Sequence, residues 1–319
     1  MSRIMVVCVP LAEKWQEKIR AAAERHGFIY MYFQDPSQAA EAARDAEILF
    51  TASVKLSRAA DRLRWLCTPA AGIDAFTAPD AFASKEAVLT NSSGAYGVTI
   101  AEHTVMVTLE MLRRQAAYTA ITARREWQRN LPIRSIKNSR VLMLGTGDIG
   151  RETARRFRAF GPESITGYNR SGSNPEGLFD RVITGDDLDG ALPDSDIVLL
   201  SLPGTAQSRH ILDGRRLELL PEGALLVNVG RGSAIDEQAL IGHLRSGRLT
   251  AALDVFEEEP LPKDHPLWDC PNLLVTPHVA GNMTLPYTVE RIVTMFLDDL
   301  ELYCAGQPLT HTADRSRGY

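Results

Sequence analysis

At 319 residues the chain is long enough for about two domains with ample core to bury. Hydrophobic residues make up 45% and charged residues 24%, the balance of an ordinary globular protein and not of a disordered one. A net charge of -5 argues against a nucleic-acid partner and gives no basic membrane patch, and no apolar run approaches membrane-spanning length.

The opening, MSRIMVVCVP, carries a short apolar run, Ile4 to Val9, of strand type. No small-residue cleavage site follows it, so a signal peptide is not expected. Leu11 to His26 reads as an amphipathic helix and Phe28 to Phe33 as a second strand. Gln38 to Asp45 is helical, Glu47 to Thr51 a strand, and Leu63 to Thr68 another, running into PAAGID. Strands alternating with helices imply a parallel sheet, so the first hundred residues form one small α/β domain. Val98 to Arg125 is expected to be one long apolar helix, suited to connect two domains or to bury a partner subunit. Trp127 to Lys137 is a loop. Cys8, Cys67, Cys270 and Cys304 are scattered, with no C-x-x-C or zinc spacing, which suits free thiols in a reducing cytoplasm and no metal.

The rest of the chain is organised around Ser139 to Gly150, SRVLMLGTGDIG. Val141 to Leu144 is a buried-strand run, Gly145, Gly147 and Gly150 supply G-x-G-x-x-G, and Arg151 to Phe160 has helical character. The first glycine permits the turn, the second lets the backbone approach a pyrophosphate, and the third lets helix pack close to strand. The helix N-terminus then faces the anion. Gly145, Gly147, Asp148, Ile149 and Gly150 are therefore candidate cofactor contacts. About 20 residues further on, an NAD enzyme typically places a carboxylate for the ribose 2′-hydroxyl. Here that region reads Gly167-Tyr168-Asn169-Arg170-Ser171, without one. Asn169 and Ser171 can donate hydrogen bonds and Arg170 can pair with a 2′-phosphate, so NADP(H) is expected to be preferred, with NAD(H) still usable.

Strands follow at Ser164 to Tyr168, Ile197 to Leu202, Gly223 to Val229, Leu249 to Phe256 and Leu273 to Thr276. A final helix, Leu285 to Tyr303, is expected to return to the first domain, and the tail GQPLTHTADRSRGY reads as a polar loop. Ligands of open parallel sheets bind beyond the carboxyl ends of strands. Arg231, Asp254, Glu259 and His278 stand at or near such ends. Histidine suits general acid/base work near neutral pH. A carboxylate bonded to it favours the imidazolium, with Glu257, Glu258 and Glu259 all available in DVFEEEP. The planar fork of Arg231 matches a carboxylate and an adjacent carbonyl oxygen. Small residues in PAAGID, Pro69 to Asp74, expose backbone N–H groups to an anion.

An ordered set of motifs carries a resemblance: PAAGID, TIAEH, LGTGDIG, LLSLPGTAQSRHIL, LLVNVGRGSAIDEQAL, ALDVFEEEPL and TPHVAG. The chain resembles the D-isomer-specific 2-hydroxyacid dehydrogenase family. The resemblance implies two Rossmann-like, doubly wound parallel-sheet domains. Residues 1–98 and 284–319 would form the substrate domain from both chain ends, and residues 99–283 the dinucleotide-binding domain. It also implies a homodimer using the long-helix region. By the same resemblance Arg231 binds substrate, Glu259 partners the histidine, His278 donates the proton, Asp254 lies on the nicotinamide side, and the backbone of Ala71 and Gly72 cradles a carboxylate. Thr99, Leu202, Pro203 and Val229 join the implied cofactor contacts, with Asp254 and His278. At Asn91-Ser92-Ser93-Gly94 the chain departs from the family, where a proline usually follows the asparagine.

The implied activity is reduction of a small 2-keto acid of the glyoxylate or hydroxypyruvate type to the D-2-hydroxy acid. Alternatives within the resemblance are a phosphoglycerate dehydrogenase-like enzyme, for whose regulatory domain little chain follows the last helix, and a nucleotide-sensing co-repressor-like binding protein.

Overall fold

The computed structural model describes residues 3–318. The chain divides into two compact units. One holds the residues up to Tyr96 together with those from Met283 onward, and the other is Gly97–Asn282.

In the first unit β1 (Arg3–Cys8), α1 (Glu13–Arg25), β2 (Phe28–Tyr32), α2 (Pro36–Arg44), β3 (Ile48–Thr51), α3 (Val54–Ala59), β4 (Trp65–Cys67) and β5 (Val88–Thr90) follow one another. All pairings are parallel, in the order β2-β1-β3-β4-β5. Buried Ile19, Ala22 and Ala23 lie three and four apart, the helical spacing that lets α1 bury one stripe. Asp35 caps α2 by accepting from the amide of Ser37 (2.7 Å), and Pro36 opens that helix where its missing N–H is harmless.

The second unit contains α4 (Gly97–Leu112), α5 (Gln115–Ala123), β6 (Arg140–Leu144), α6 (Asp148–Arg158), β7 (Ser164–Tyr168), β8 (Arg181–Ile183), α7 (Asp187–Ala191), β9 (Ile197–Leu200), α8 (Gly214–Leu219), β10 (Leu225–Asn228), α9 (Glu237–Arg245), β11 (Thr250–Leu253) and β12 (Leu273–Val275). Its sheet runs β12-β11-β10-β9-β6-β7-β8, also all parallel. β6 sits between β7 and β9, where the order reverses, and ligands of such sheets bind at that switch point. β9 and β10 are buried at every residue, as strands covered on both faces must be. Two Rossmann-like parallel-sheet α/β units are thus the architecture.

The expected single helix from Val98 to Arg125 is two helices. Arg114 adopts a left-handed φ of 57°, which ends α4 and starts α5. The carbonyl of Leu112, freed by the break, accepts from the amide of Arg134 (2.9 Å) in the following loop. No glycine or proline marks the position, so the break is not legible locally. Several strands also end earlier than their apolar runs. Val229, Val255 and Phe256 stay buried but leave the ladder, and these unpaired ends become the turns described below.

The last helix, α10 (Pro286–Cys304), belongs to the first unit. Phe296 stacks on Phe50 (4.4 Å) and on Trp65 (5.0 Å). The tail after it is not a free loop. Thr312 bridges Thr90 antiparallel, and Arg315 donates from Nε to the carbonyl of Phe76 (2.9 Å). Of the four free cysteines, Cys8, Cys67 and Cys270 are buried and Cys304 is half-buried. No helix among the described residues is long and apolar enough to cross a membrane.

Candidate active site

The glycine turn joins β6 to α6. Gly145 takes φ 106°, open to glycine alone, and a Cβ there would lie 2.8 Å from Ser201 Oγ. At Gly150 a Cβ would fall 2.1 Å from the carbonyl oxygen of Gly145, so α6 is pressed onto the turn. Gly147 differs: it is the N-cap, and a Cβ there would meet nothing within 4 Å. Two glycines therefore serve packing, and the third leaves its backbone open beside Asp148 and Ile149. That arrangement fits the pyrophosphate of a dinucleotide. The helix opens at Asp148, three residues earlier than its apolar pattern suggests. A Cβ on Gly97 would lie 2.3 Å from Asp148 Oδ2, so α4 crosses α6 at a glycine. Thr99 follows in the first turn of α4, half-buried.

The loop after β7 carries Asn169, Arg170 and Ser171, the last two exposed. Asn169 is not a spare donor. Its Nδ2 donates to Thr146 Oγ1 (2.6 Å) and to the carbonyl of Ser173 (2.9 Å), and its Oδ1 accepts from the amide of Gly172 (2.7 Å). Both amide hydrogens are committed, so the expectation that Asn169 donates to a phosphate is corrected: it shapes the loop that presents Arg170 and Ser171.

Leu202 and Pro203 continue past β9, and Val229 past β10. Val229 donates its amide to the carbonyl of Leu200 (3.0 Å). Arg231 is bracketed by glycines that admit no side chain. A Cβ on Gly230 would stand 2.8 Å from the backbone of Leu202, and one on Gly232 only 1.9 Å from the carbonyl carbon of Phe256. The carbonyl of Arg231 accepts from Asn228 Nδ2 (2.9 Å), and its own Nη1 donates to the carbonyl of Gly230 (2.8 Å). Backbone and guanidinium are both held.

Asp254 follows β11 and is 2% exposed. Its Oδ1 accepts from Thr276 Oγ1 (2.6 Å) and from the amide of Val279 (2.9 Å), and its Oδ2 from the amide of Ala280 (2.9 Å). The carboxylate therefore anchors the turn that carries His278. The amide of His278 donates to the carbonyl of Asp254 (2.8 Å), and His278 takes φ 53°. That left-handed conformation costs a non-glycine residue on the order of 1–3 kcal/mol, and the Asp254 contacts hold it. His103 lies 3.8 Å from Asp254 Oδ1 and 3.2 Å from Thr276 Oγ1. Burial lowers its pKa, against the attraction of Asp254 and Glu110.

His278 Nδ1 lies 2.6 Å from Glu259 Oε2, whose other oxygen accepts from the amide of Phe256 (2.9 Å). Of the three glutamates, Glu259 faces the histidine. Glu257 instead pairs with His210 (3.1 Å) and accepts from the amide of Glu237, whose side chain accepts from the amide of Glu257 (2.7 Å). Glu258 is exposed. Burial raises the pKa of Glu237.

The first unit holds Ala71 and Gly72, half-exposed in the turn after β4. The residues that pattern reading did not single out are His103, Thr276, Gly97 and Asn228. His103 stood in TIAEH and Asn228 in NVGRG, but only their partners reveal what they hold.

The model of the D-isomer specific 2-hydroxyacid dehydrogenase NAD binding domain matches residues 105–280. Glyoxylate/hydroxypyruvate reductase A of Salmonella newport is 32% identical over 224 residues, 70% of this chain and 70% of its own. A D-isomer specific 2-hydroxyacid dehydrogenase family protein of Aeromonas salmonicida superposes with a TM-score of 0.88 and 32% identity, over 99% of this chain and 100% of its own. The NADPH-dependent glyoxylate/hydroxypyruvate reductase of Sinorhizobium meliloti, solved with NADP and sulfate, does so with a TM-score of 0.81 and 27% identity, over 100% of both chains. With a doubly wound nucleotide unit, a glycine turn fit for pyrophosphate and a histidine held by a glutamate, the chain belongs to the D-isomer-specific 2-hydroxyacid dehydrogenase family of oxidoreductases.

Proposed function

We propose that the protein reduces a small 2-keto acid of the glyoxylate or hydroxypyruvate type to the D-2-hydroxy acid, with NADP(H) preferred over NAD(H). The observation that carries this reading is the 2.6 Å Glu259–His278 pair on a turn anchored by Asp254. Residues 99–283 are proposed as the dinucleotide-binding domain and residues 1–98 with 284–319 as the substrate domain. A nicotinamide cofactor supplies the hydride when bound. His278, oriented through Nδ1 by Glu259, keeps Nε2 for protonating the carbonyl oxygen. Arg231 clamps the carboxylate and polarises the adjacent carbonyl, stabilising the charge that develops there. Within the first unit, the amides of Ala71 and Gly72 are proposed to bind a substrate carboxylate. Asp254 acts by holding the turn of His278.

The small substrate is supported by the turn Pro69–Gly72, which carries no charged side chain that would demand a phosphate or second carboxylate. It is supported too by the names of the Salmonella and Sinorhizobium relatives. The cofactor preference rests on the missing carboxylate after β7 and on exposed Arg170. We further propose a cytoplasmic homodimer built on the α4–α5 region, where Met106 is 45% and Trp127 89% exposed, to be checked by light scattering.

The test is NADPH oxidation by the purified protein with a panel of 2-keto acids, followed by chiral analysis of the product. Turnover of glyoxylate and hydroxypyruvate is expected. No turnover with any member would favour a nucleotide-sensing binding protein.

A further inference from the structure

The turn proposed to cradle the carboxylate owes its shape to a neighbouring segment that takes no part in the chemistry. Four consecutive carbonyls of the turn are each captured by residues 91–96. Ser92 Oγ donates to the carbonyl of Thr68 (3.1 Å), Tyr96 Oη to that of Pro69 (2.7 Å), the amide of Ser92 to that of Ala70 (2.9 Å), and Asn91 Nδ2 to that of Ala71 (2.7 Å). Asn91, Ser92 and Tyr96 are all buried. Burial pushes the Tyr96 hydroxyl up to about 12, so it stays a donor near neutral pH.

A trans peptide unit sets its C=O and N–H on opposite sides. Pulling the carbonyls of Ala70 and Ala71 toward residues 91–96 therefore turns the amides of Ala71 and Gly72 the other way, side by side. Successive N–H groups aimed in one direction form an anion-binding concavity.

The capturing segment is itself held by the C-terminal tail. The amide of Asn91 donates to the carbonyl of His311 (3.1 Å), and that of Ala313 to the carbonyl of Leu89 (2.9 Å). Asp299 of α10, 1% exposed, accepts from the amide of Thr310 (2.8 Å) and pairs with His311 Nδ1 (3.0 Å). The tail thus makes one isolated antiparallel bridge, Thr312 to Thr90, at the end of β5 and holds the amide of Asn91.

We propose that Asn91, Ser92 and Tyr96, backed by the tail at residues 310–313, form a frame that aims the amides of Ala71 and Gly72 at the substrate carboxylate, with Asn91 as its principal positioning residue. This rests on the 2-keto acid reading above.

The test compares the parent protein with Asn91→Asp, nearly isosteric but unable to donate to Ala71, and with His311→Ala, which loosens the tail while keeping Asn91. Steady-state kinetics with glyoxylate are paired with calorimetric binding of oxamate, an unreactive carboxylate analogue, to the NADPH-loaded protein. For Asn91→Asp the glyoxylate KM and the oxamate Kd should both rise about tenfold, with kcat and the KM for NADPH within about twofold. His311→Ala should move the same two constants in the same direction by about two- to threefold, as a weaker indirect contact would. If Asn91→Asp does not fold, His311→Ala decides alone. Constants that stay at parent values overturn the frame, as does a common collapse of kcat and both KM values. A parent that turns over no 2-keto acid, yet binds oxamate less well after Asn91→Asp, would remove the catalytic reading and keep the frame. A parent that does neither removes both.

Discussion

Glu259 Oε2 lies 2.6 Å from Nδ1 of His278, across 19 residues of chain. The glutamate is held by the amide of Phe256 and the histidine by the backbone of Asp254, so each partner is fixed from its own side. A carboxylate at this distance fixes the ring and its tautomer, leaving Nε2 for proton transfer. In Glu259→Gln the anion is gone while the shape is kept. The ring loses its charged support, so kcat for keto-acid reduction should fall while the KM for NADPH stays near the parent value. The same loss from Glu258→Gln, with none from Glu259→Gln, would move the role to the other glutamate.

His278→Gln removes the proton donor but keeps a polar side chain on the turn. A fall in kcat of about 100-fold or more is expected, the usual size of general acid catalysis, with NADPH binding retained in a fluorescence titration. A kcat close to that of the parent would take His278 out of the chemistry.

Arg231→Lys keeps the charge and loses the fork. The guanidinium donates from Nη1 to the carbonyl of Gly230 while Asn228 holds the backbone of Arg231, and a lysine ammonium has no equivalent geometry. The loss should fall on kcat/KM for the keto acid while the KM for NADPH stays near the parent value. Unchanged keto-acid kinetics would count against the clamp.

Cofactor choice is best probed at Arg170 alone, because Asn169 is committed to Thr146 and Ser173 and its replacement would disturb the loop. The parent should use NADPH over NADH by about tenfold or more in kcat/KM, as one charge-assisted contact supplies. Arg170→Ala should erase most of that ratio. Equal use of both cofactors by the parent would defeat the assignment.

Phe296→Ala tests how the last helix is held. Its ring is 1% exposed and stacked between Phe50 and Trp65. Truncation should destabilise the protein by about 3–5 kcal/mol, the range for a buried phenylalanine, read by denaturant unfolding. A change under about 1 kcal/mol would mean that the site collapses to fill the cavity.

Local pattern carried much of this protein. Alternating apolar runs and amphipathic stretches are set by periods of two and 3.6 residues, so parallel α/β architecture was legible along the chain. The glycine turn was legible too, because its three glycines answer local steric demands at Gly145 and Gly150 and an open backbone at Gly147. Other features depend on residues that only folding brings together. The break at Arg114 is completed by an amide twenty residues away, and no residue type announces it. Three adjacent glutamates look alike in sequence, yet the path of the loop turns Glu257 to His210 and Glu259 to His278. Asn169 looked like a free donor until Thr146 and Ser173 were seen to occupy it. The tail looked like a polar loop, and its place beside β5 comes from Asp299 and the backbone of Asn91. The sequence determined the element types and the chemical groups, because both are properties of short stretches. The tertiary structure decided which groups meet, because hydrogen bonds form over about 3 Å between atoms whose separation along the chain carries no such information.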